Sequence, residues 1–314
     1  MATPNPLLRL GTRGSKLALW QAHFVQNLLQ AGGWPCEIVI IETKGDQILD
    51  RSLAKIGSKG VFTQELEDQL REGTIDVAVH SAKDLQSELP EDLEIVAFSE
   101  RETPNDVLVS RQPARSLLSG EPFTVGTSST RRVAMLKHFY PHIRPVDMRG
   151  NLQTRMRKLE EGHADALLLA YAGVHRMGYT DQVTQYLPTT EFTPPVGQGS
   201  IAVEASRHLS ADKRAALRAL VNHADSETCL LAERAYLRRL QGGCSVPVFA
   251  LATLHGDEII LSGGIISLDG RQLLKETLLA PAPEADRLGV ALAEKILALG
   301  GAQILADIRQ KVVT

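Results

Sequence analysis

Ile75-Asp-Val-Ala-Val-His-Ser-Ala-Lys-Asp84 is the stretch that decides the fold class. Its first part, Ile75–His80, is nearly all apolar, as expected of a parallel strand buried on both faces. Working outward, Val61–Arg71 has helical spacing. Leu7–Gly11 reads as a strand, and Ile38–Glu42 as a second one. Between them Gly14 and Ser15 open a helix with apolar Leu17, Trp20, Phe24 and Leu28. Ile95–Phe98 follows on the far side. Short apolar runs alternating with amphipathic stretches are the rhythm of an α/β domain.

Charges around Pro104 mark Glu100–Asp106 as a linker, and a second α/β series begins after it. Phe123–Gly126, Ile143–Val146 and Ala166–Ala170 read as strands, with helices at Ser129–His138 and Asn151–Glu161. Another break falls at Leu187–Gly199, which holds Pro188, Pro194 and Pro195. Ile201–Glu204 is one more strand, and the pattern permits its return to the first series. The last third changes character. Ser226–Leu240 reads as a helix capped by Ser226. Val246–Leu254, Glu258–Gly263 and Leu273–Leu279 are consecutive antiparallel strands, and a helix at Ala285–Leu299 closes an α+β arrangement.

The chain has 314 residues, 43% hydrophobic and 23% charged, which is globular composition with room for two or three cores. An aromatic share of 4% disfavours base-stacking platforms. A net charge of −3 argues against coating nucleic acid or anionic lipid. No apolar stretch approaches the roughly 20 residues of a membrane span, and Met1–Leu8 has no basic region followed by an apolar one. A cytoplasmic location is therefore expected. Cys36, Cys229 and Cys244 are too few and too scattered for a disulfide framework. No Cys-x-x-Cys or His-Glu-x-x-His occurs, so no metal site is expected.

The charge is unevenly distributed. Between Gly126 and Arg157 lie Arg131, Arg132, Lys137, Arg144, Arg149, Arg155 and Arg157, against Asp147 alone. Arg131, Arg132, Arg149, Arg155 and Arg157 fall at expected strand ends or first helical turns, the edge of an open α/β sheet that faces ligand. Helix N-termini there favour anions. Gly126-Thr127-Ser128-Ser129 adds hydroxyl donors, and an arginine fork matches carboxylate or phosphate equally well. A solvated basic face is the plainer alternative.

Asp84, just past its strand, is placed for acid/base work or for stabilising a cation, with Lys83 beside it. A solvated loop pair is the rival explanation. Gly11-Thr12-Arg13-Gly14-Ser15 is a strand-to-helix turn that fits neither the dinucleotide nor the Walker pattern. Cys244 follows two glycines after a helix bearing Arg238 and Arg239. Nearby cations favour thiolate, although an inert turn cysteine would look the same.

Taken in order, these pieces resemble one family, the hydroxymethylbilane synthases or porphobilinogen deaminases. The resemblance rests on Leu10-Gly-Thr-Arg-Gly-Ser15, Leu17-Ala-Leu-Trp-Gln21, Thr43-Lys-Gly-Asp46, Lys59-Gly-Val-Phe62 and Val79-His-Ser-Ala-Lys-Asp84. It continues through Gly126-Thr-Ser-Ser-Thr-Arg-Arg132, Arg149-Gly-Asn151, Arg155, Val196-Gly-Gln-Gly199 and Gly242-Gly-Cys244. It implies two α/β lobes like solute-binding proteins plus a C-terminal α+β domain with a small antiparallel sheet. The lobes would span 1–102 with 197–220, and 106–192; the third domain would span 222–314.

The implied activity is a transferase reaction on porphobilinogen. Four molecules join head to tail with loss of ammonia on a covalent dipyrromethane cofactor, thioether-linked to Cys244, before hydrolytic release of hydroxymethylbilane. Asp84 would protonate the leaving amine. Arg13, Ser15, Ser81, Lys83, Thr127, Ser128, Ser129, Arg131, Arg132, Arg149, Gly150, Arg155, Arg176 and Gln198 would bind cofactor or substrate. A mobile loop would carry Asp46, Lys55, Lys59 and Phe62. A cytoplasmic monomer without nucleic-acid or membrane partners is implied. The chain departs from the family pattern at Ala82, Gln86, Thr103, Asn105 and Thr130. The rivals are a non-catalytic two-lobed carboxylate-binding protein and a phosphoryl-transfer enzyme. An exported receptor calls for a signal peptide, a regulator for a helix-turn-helix, and phosphoryl transfer for a nucleotide motif.

Overall fold

The computed structural model describes residues 5–43, 63–243 and 246–313. Cys244, Asp46, Lys55, Lys59 and Phe62 lie outside the described residues. In chain order the elements begin with β1 (Leu8–Thr12), α1 (Lys16–Ala31), β2 (Cys36–Ile40), α2 (Gln64–Glu72), β3 (Val77–Ser81) and β4 (Leu93–Phe98). Next come β5 (Asp106–Val109), β6 (Thr124–Gly126), α3 (Thr130–Phe139), β7 (Arg144–Val146), α4 (Leu152–Glu160), β8 (Ala166–Ala170), α5 (Tyr171–Arg176) and β9 (Val183–Tyr186). The chain ends with β10 (Ile201–Ser206), α6 (Ala211–Leu220), α7 (Ala224–Arg239), β11 (Val248–His255), β12 (Glu258–Ile266), β13 (Leu273–Pro281), α8 (Ala285–Ile296) and α9 (Ala302–Val313).

The described residues divide into two compact units, one of 5–43, 63–102 and 200–227, the other of 103–199 and 228–313. The first unit is built on a sheet of order β2-β1-β3-β10-β4. Strands β1, β2 and β3 are parallel, and β10 runs antiparallel between β3 and β4. Val77, Val79, Leu8, Leu10, Ile201 and Val203 are buried in its core. The apolar run around β3 is thus a fully covered central strand. On α1, Ala22, Val25 and Leu29 form the fully buried face, flanked by half-buried Trp20, Phe24 and Leu28. Gly11 lets α2 and the loop before β3 close over β1, because a Cβ there would collide with the side chain of Ile75.

The second unit repeats the topology in a sheet of order β7-β6-β8-β5-β9. Here β6 is parallel to β7 and β8, and β5 runs antiparallel between β8 and β9. Asp106 is the first residue of β5 rather than the end of a linker; its carboxylate is fully buried. The same unit holds the antiparallel sheet β11-β12-β13. Helices α7 and α8 pack on it through Tyr236, Leu288, Leu292 and Ile296, joined by Leu240 just past the end of α7.

Two local expectations are corrected. Ser226 is not the cap of α7, which starts two residues earlier. The N–H of Ser226 is taken by the His223 ring at 3.2 Å, and the Ser226 hydroxyl accepts from the Arg101 backbone. The C-terminal helical run Ala282–Lys311 is long and apolar enough to cross a membrane by length and composition. It is broken at Gly300 (φ 109°), and Leu288, Leu292, Ile296, Ile304, Leu305 and Ile308 face the core, so the apolar stripe is a packing face.

Candidate active site

Parallel neighbours end side by side, so the turns after β1 and β3 share one sheet edge. After β1 come Arg13, Gly14 and Ser15, and Ser15 caps α1 by accepting from the Ala18 N–H at 3.3 Å. After β3 the chain makes a 3-10 turn at Ala82–Asp84. The two turns flank a cavity of about 60 Å³ lined by Arg13, Ser15, Gln21, Thr63, His80, Ser81 and Asp84 among others. The Gln21 amide donates to the Ser81 hydroxyl at 2.8 Å, tying α1 to the end of β3. This edge therefore brings the Asp84 carboxyl group, a guanidinium and three hydroxyls around a small polar space. Lys83 lies in the same turn, half-buried.

The second unit offers a corresponding edge. After β6, Thr127, Ser128 and Ser129 lead into α3, and Ser129 caps it by accepting from the Arg132 N–H at 3.4 Å. After β7, Arg149 and Gly150 lead into α4, capped by Asn151. Gly150 has φ 110°, and a Cβ there would lie 2.6 Å from Thr154. The Arg155 guanidinium reaches back to the Gly150 carbonyl at 2.8 Å and the Ser128 hydroxyl at 3.3 Å. Arg149 donates to Asp147 at 3.1 Å, and Arg176 to the Gly199 carbonyl at 2.7 Å. Arg157 does not join them. It sits exposed in the last turn of α4, paired with Glu161 at 3.0 Å, because the helix carries it one turn past the edge.

Arg131 and Arg132 are buried, 4% and 6% exposed, and converge on Asp106 at 2.6 and 2.7 Å. Arg131 also donates to the Thr193 carbonyl, Arg132 to that of Leu168, and Gln198 to Asp106 at 3.0 Å. Burial by itself would raise the Asp106 carboxyl. The two guanidiniums, with the Gln198 amide, outweigh it and hold the acid well below the usual carboxylate range. Burial likewise depresses Arg131, against the opposing pull of Asp106. The cluster carries two cations to one anion. The Nε–H groups of both arginines are buried without a partner among the described residues. A buried excess of donors and positive charge fits an anionic group.

Asp106, the buried partner of the arginine pair, was the residue of this edge least visible in the sequence. An acid opening an apolar strand, within reach of a basic segment, was its one available signal. The buried contact of His80 with Glu204 gave no signal in the sequence.

Each α/β sheet thus carries hydroxyls and cationic side chains at its strand ends, with Asp84 in one unit and Asp106 in the other, an arrangement suited to an anionic small molecule. Family models for porphobilinogen deaminase match residues 8–215, as the dipyrromethane cofactor binding domain, and 227–298, as the C-terminal domain. A porphobilinogen deaminase of Desulfosudis oleivorans is 53% identical over 308 residues, covering 98% of this chain and 99% of the relative. One of Cytophaga hutchinsonii is 55% identical over 306 residues, covering 98% of each. Among solved structures, a substrate binding domain of a putative amino acid ABC transporter from Streptococcus pneumoniae aligns with TM-score 0.43 and 10% identity. It covers 68% of this chain and 91% of that one, and the likeness is too slight to carry an argument. The chain belongs to the porphobilinogen deaminase family. It is accordingly a transferase with a dipyrromethane cofactor, and the non-catalytic binding-protein alternative is not favoured.

Proposed function

We infer that the chain is a hydroxymethylbilane synthase, condensing porphobilinogen head to tail with loss of ammonia, and that Asp84 is its acid. The carrying observation is a half-buried carboxyl at the lip of a cavity lined by Arg13, Ser15 and Ser81. A cavity of about 60 Å³ holds a few water molecules at most. It suits a single charged or polar substituent of a larger molecule.

The dipyrromethane, when bound, supplies the nucleophilic pyrrole carbon from which the chain grows. The surplus cation and the orphaned Nε groups of Arg131 and Arg132 suit its acetate and propionate groups. Arg149, Arg155 and Arg176, with Thr127, Ser128, Ser129 and the backbone at Gly150, hold further carboxylates by forked and capping hydrogen bonds. Gln198 belongs to this set, Lys83 binds a carboxylate beside Asp84 in its own unit, and attachment is through Cys244. Each added pyrrole brings two more carboxylates, which accounts for the number of arginines.

Asp84 does the proton work. The Asp84 carboxyl gives its proton to the aminomethyl nitrogen of porphobilinogen as the carbon–nitrogen bond breaks, so the nitrogen leaves as ammonia and the carbon stays on the pyrrole. The carboxylate left behind faces the cation on the substrate carbon and stabilises it. The proton lost when the new carbon–carbon bond forms returns to Asp84. The chain works as a cytoplasmic monomer in this reading. Domains of 1–102 with 197–220, 106–192 and 222–314 remain part of the proposal.

Steady-state turnover of porphobilinogen by Asp84→Asn tests the assignment. The account expects a loss on the order of 100-fold or more in kcat, as for removal of a general acid. Turnover near that of the wild type would refute it.

A further inference from the structure

His80 precedes the Asp84 turn by one strand residue and forms part of the cavity wall. Its ring Nε2 lies 3.0 Å from Glu204 Oε2 on β10. Their side chains are 3% and 0% exposed. His80 stands opposite Ala202 and Glu204 opposite Ala78, so the two meet diagonally on one face of the sheet. The other carboxylate oxygen, Oε1, is buried without a partner among the described residues.

Nothing in the energetics of folding asks for this pair. Replacing a buried pair of this kind with well-packed apolar side chains of similar volume is often neutral or stabilising. A half-satisfied buried carboxylate is the costlier choice. The sheet is also irregular here, since the β10–β4 register shifts between Val203 and Glu204. Such a bulge re-aims a side chain, and bulges gather beside active sites. The residue just before the same strand holds the turn by its backbone, through the Ala82 N–H to the Ser200 carbonyl at 3.0 Å.

We propose that Glu204 and His80 are positioning residues that fix the end of β3 and thereby the Asp84 carboxyl in its reactive placement. The inference rests on Asp84 being the acid of the reaction. Glu204 clamps the imidazole from behind, the imidazole holds the strand end and cavity wall, and the Ala82–Asp84 turn follows from that anchor. Neither residue transfers a proton to substrate in this account.

A double-mutant cycle tests it, with kcat, KM, intact mass and thermal unfolding measured for each chain. Glu204→Gln should lower kcat by on the order of 100-fold, the size of effect that an ångström of misplacement produces. KM should stay within about threefold, and cofactor mass should be retained. In an Asp84→Asn background the same change should have no further effect on residual turnover, because the residue it acts through is gone. The paired His80→Leu/Glu204→Leu chain should keep or raise its unfolding temperature, yet lose turnover like Glu204→Gln. Three results would overturn the proposal. They are near-normal kcat in Glu204→Gln, a full loss persisting in the Asp84→Asn background, or normal turnover in the paired leucine chain. If Asp84→Asn alone is fully active, the reading of Asp84 fails instead, and the cycle shows which has failed.

Discussion

Asp106→Asn removes the carboxylate shared by two buried guanidiniums while keeping the side chain's shape. Arg131 and Arg132 would each retain one backbone acceptor, at Thr193 and Leu168, and each lose a charge-assisted bond of 2.6 or 2.7 Å. Bonds to charged groups contribute about 1.5–3 kcal/mol each. Stripping one partner from a buried ion pair costs about 3–5 kcal/mol. The two arginines would also face each other without an intervening anion. Against a total stability of about 5–15 kcal/mol, a loss of about 4 kcal/mol is large. It should lower the melting temperature by on the order of 10 °C. Thermal and urea unfolding of the cofactor-bearing chain are the assays.

The pH dependence follows from the sign of the shift. Asp106 is depressed in the folded chain, so its contribution is complete above the unfolded carboxylate pKa. It disappears only as pH falls through the lower folded value. The gap between wild type and Asp106→Asn should therefore persist through neutral and mildly acidic pH and close only in strong acid. A destabilisation under about 1 kcal/mol at neutral pH, or a gap that closes near pH 5, would refute the reasoning.

Other consequences are separately measurable. Gln86 donates to buried Glu67 at 3.0 Å, and Thr63 donates to the same oxygen at 2.6 Å. Gln86→Leu should therefore cost about 1–2 kcal/mol in chemical unfolding. Because Thr63 lines the Asp84 cavity, turnover should fall as well. Gly289 on α8 lies against α7, where a Cβ would collide with the Ala232 carbonyl and the Ala235 methyl. Gly289→Ala should destabilise the chain by about 1–3 kcal/mol, read by thermal unfolding. Arg155→Lys replaces a fork that spans Gly150 and Ser128 with a point charge. It should raise the KM for porphobilinogen about tenfold, the equivalent of one lost charge-assisted bond, with stability lowered by no more than about 1 kcal/mol.

The α/β strands were readable because their apolar runs are buried on both faces, and the Ala166–Ala170 strand has the bounds expected of it. Most other boundaries differ by one to three residues, where caps rather than periodicity set the end, as at Ser15 and Asn151. Strands β5 and β9 were missed. Each has four residues, too few to show alternation, and β5 opens on a charged residue that looks like loop. Helix α9 was missed because Gly300 reads as a terminator, yet the chain turns there and continues helical.

Among site residues, Arg13, Ser15, Ser81 and Asp84 meet at one cavity because β1 and β3 are adjacent and parallel. Local sequence cannot reveal that adjacency. Nor can it reveal that Arg131 and Arg132 face Asp106, or His80 faces Glu204, since those pairings join residues far apart in the chain.

The central claim is that a covalently tethered pyrrole primer is built on this chain. The intact mass of the purified protein tests it most directly. The account predicts a mass excess of one dipyrromethane, present in the wild type, retained in Glu204→Gln and absent from Cys244→Ser, which should also be inactive. An unmodified wild-type chain that turns over porphobilinogen at full rate would contradict it.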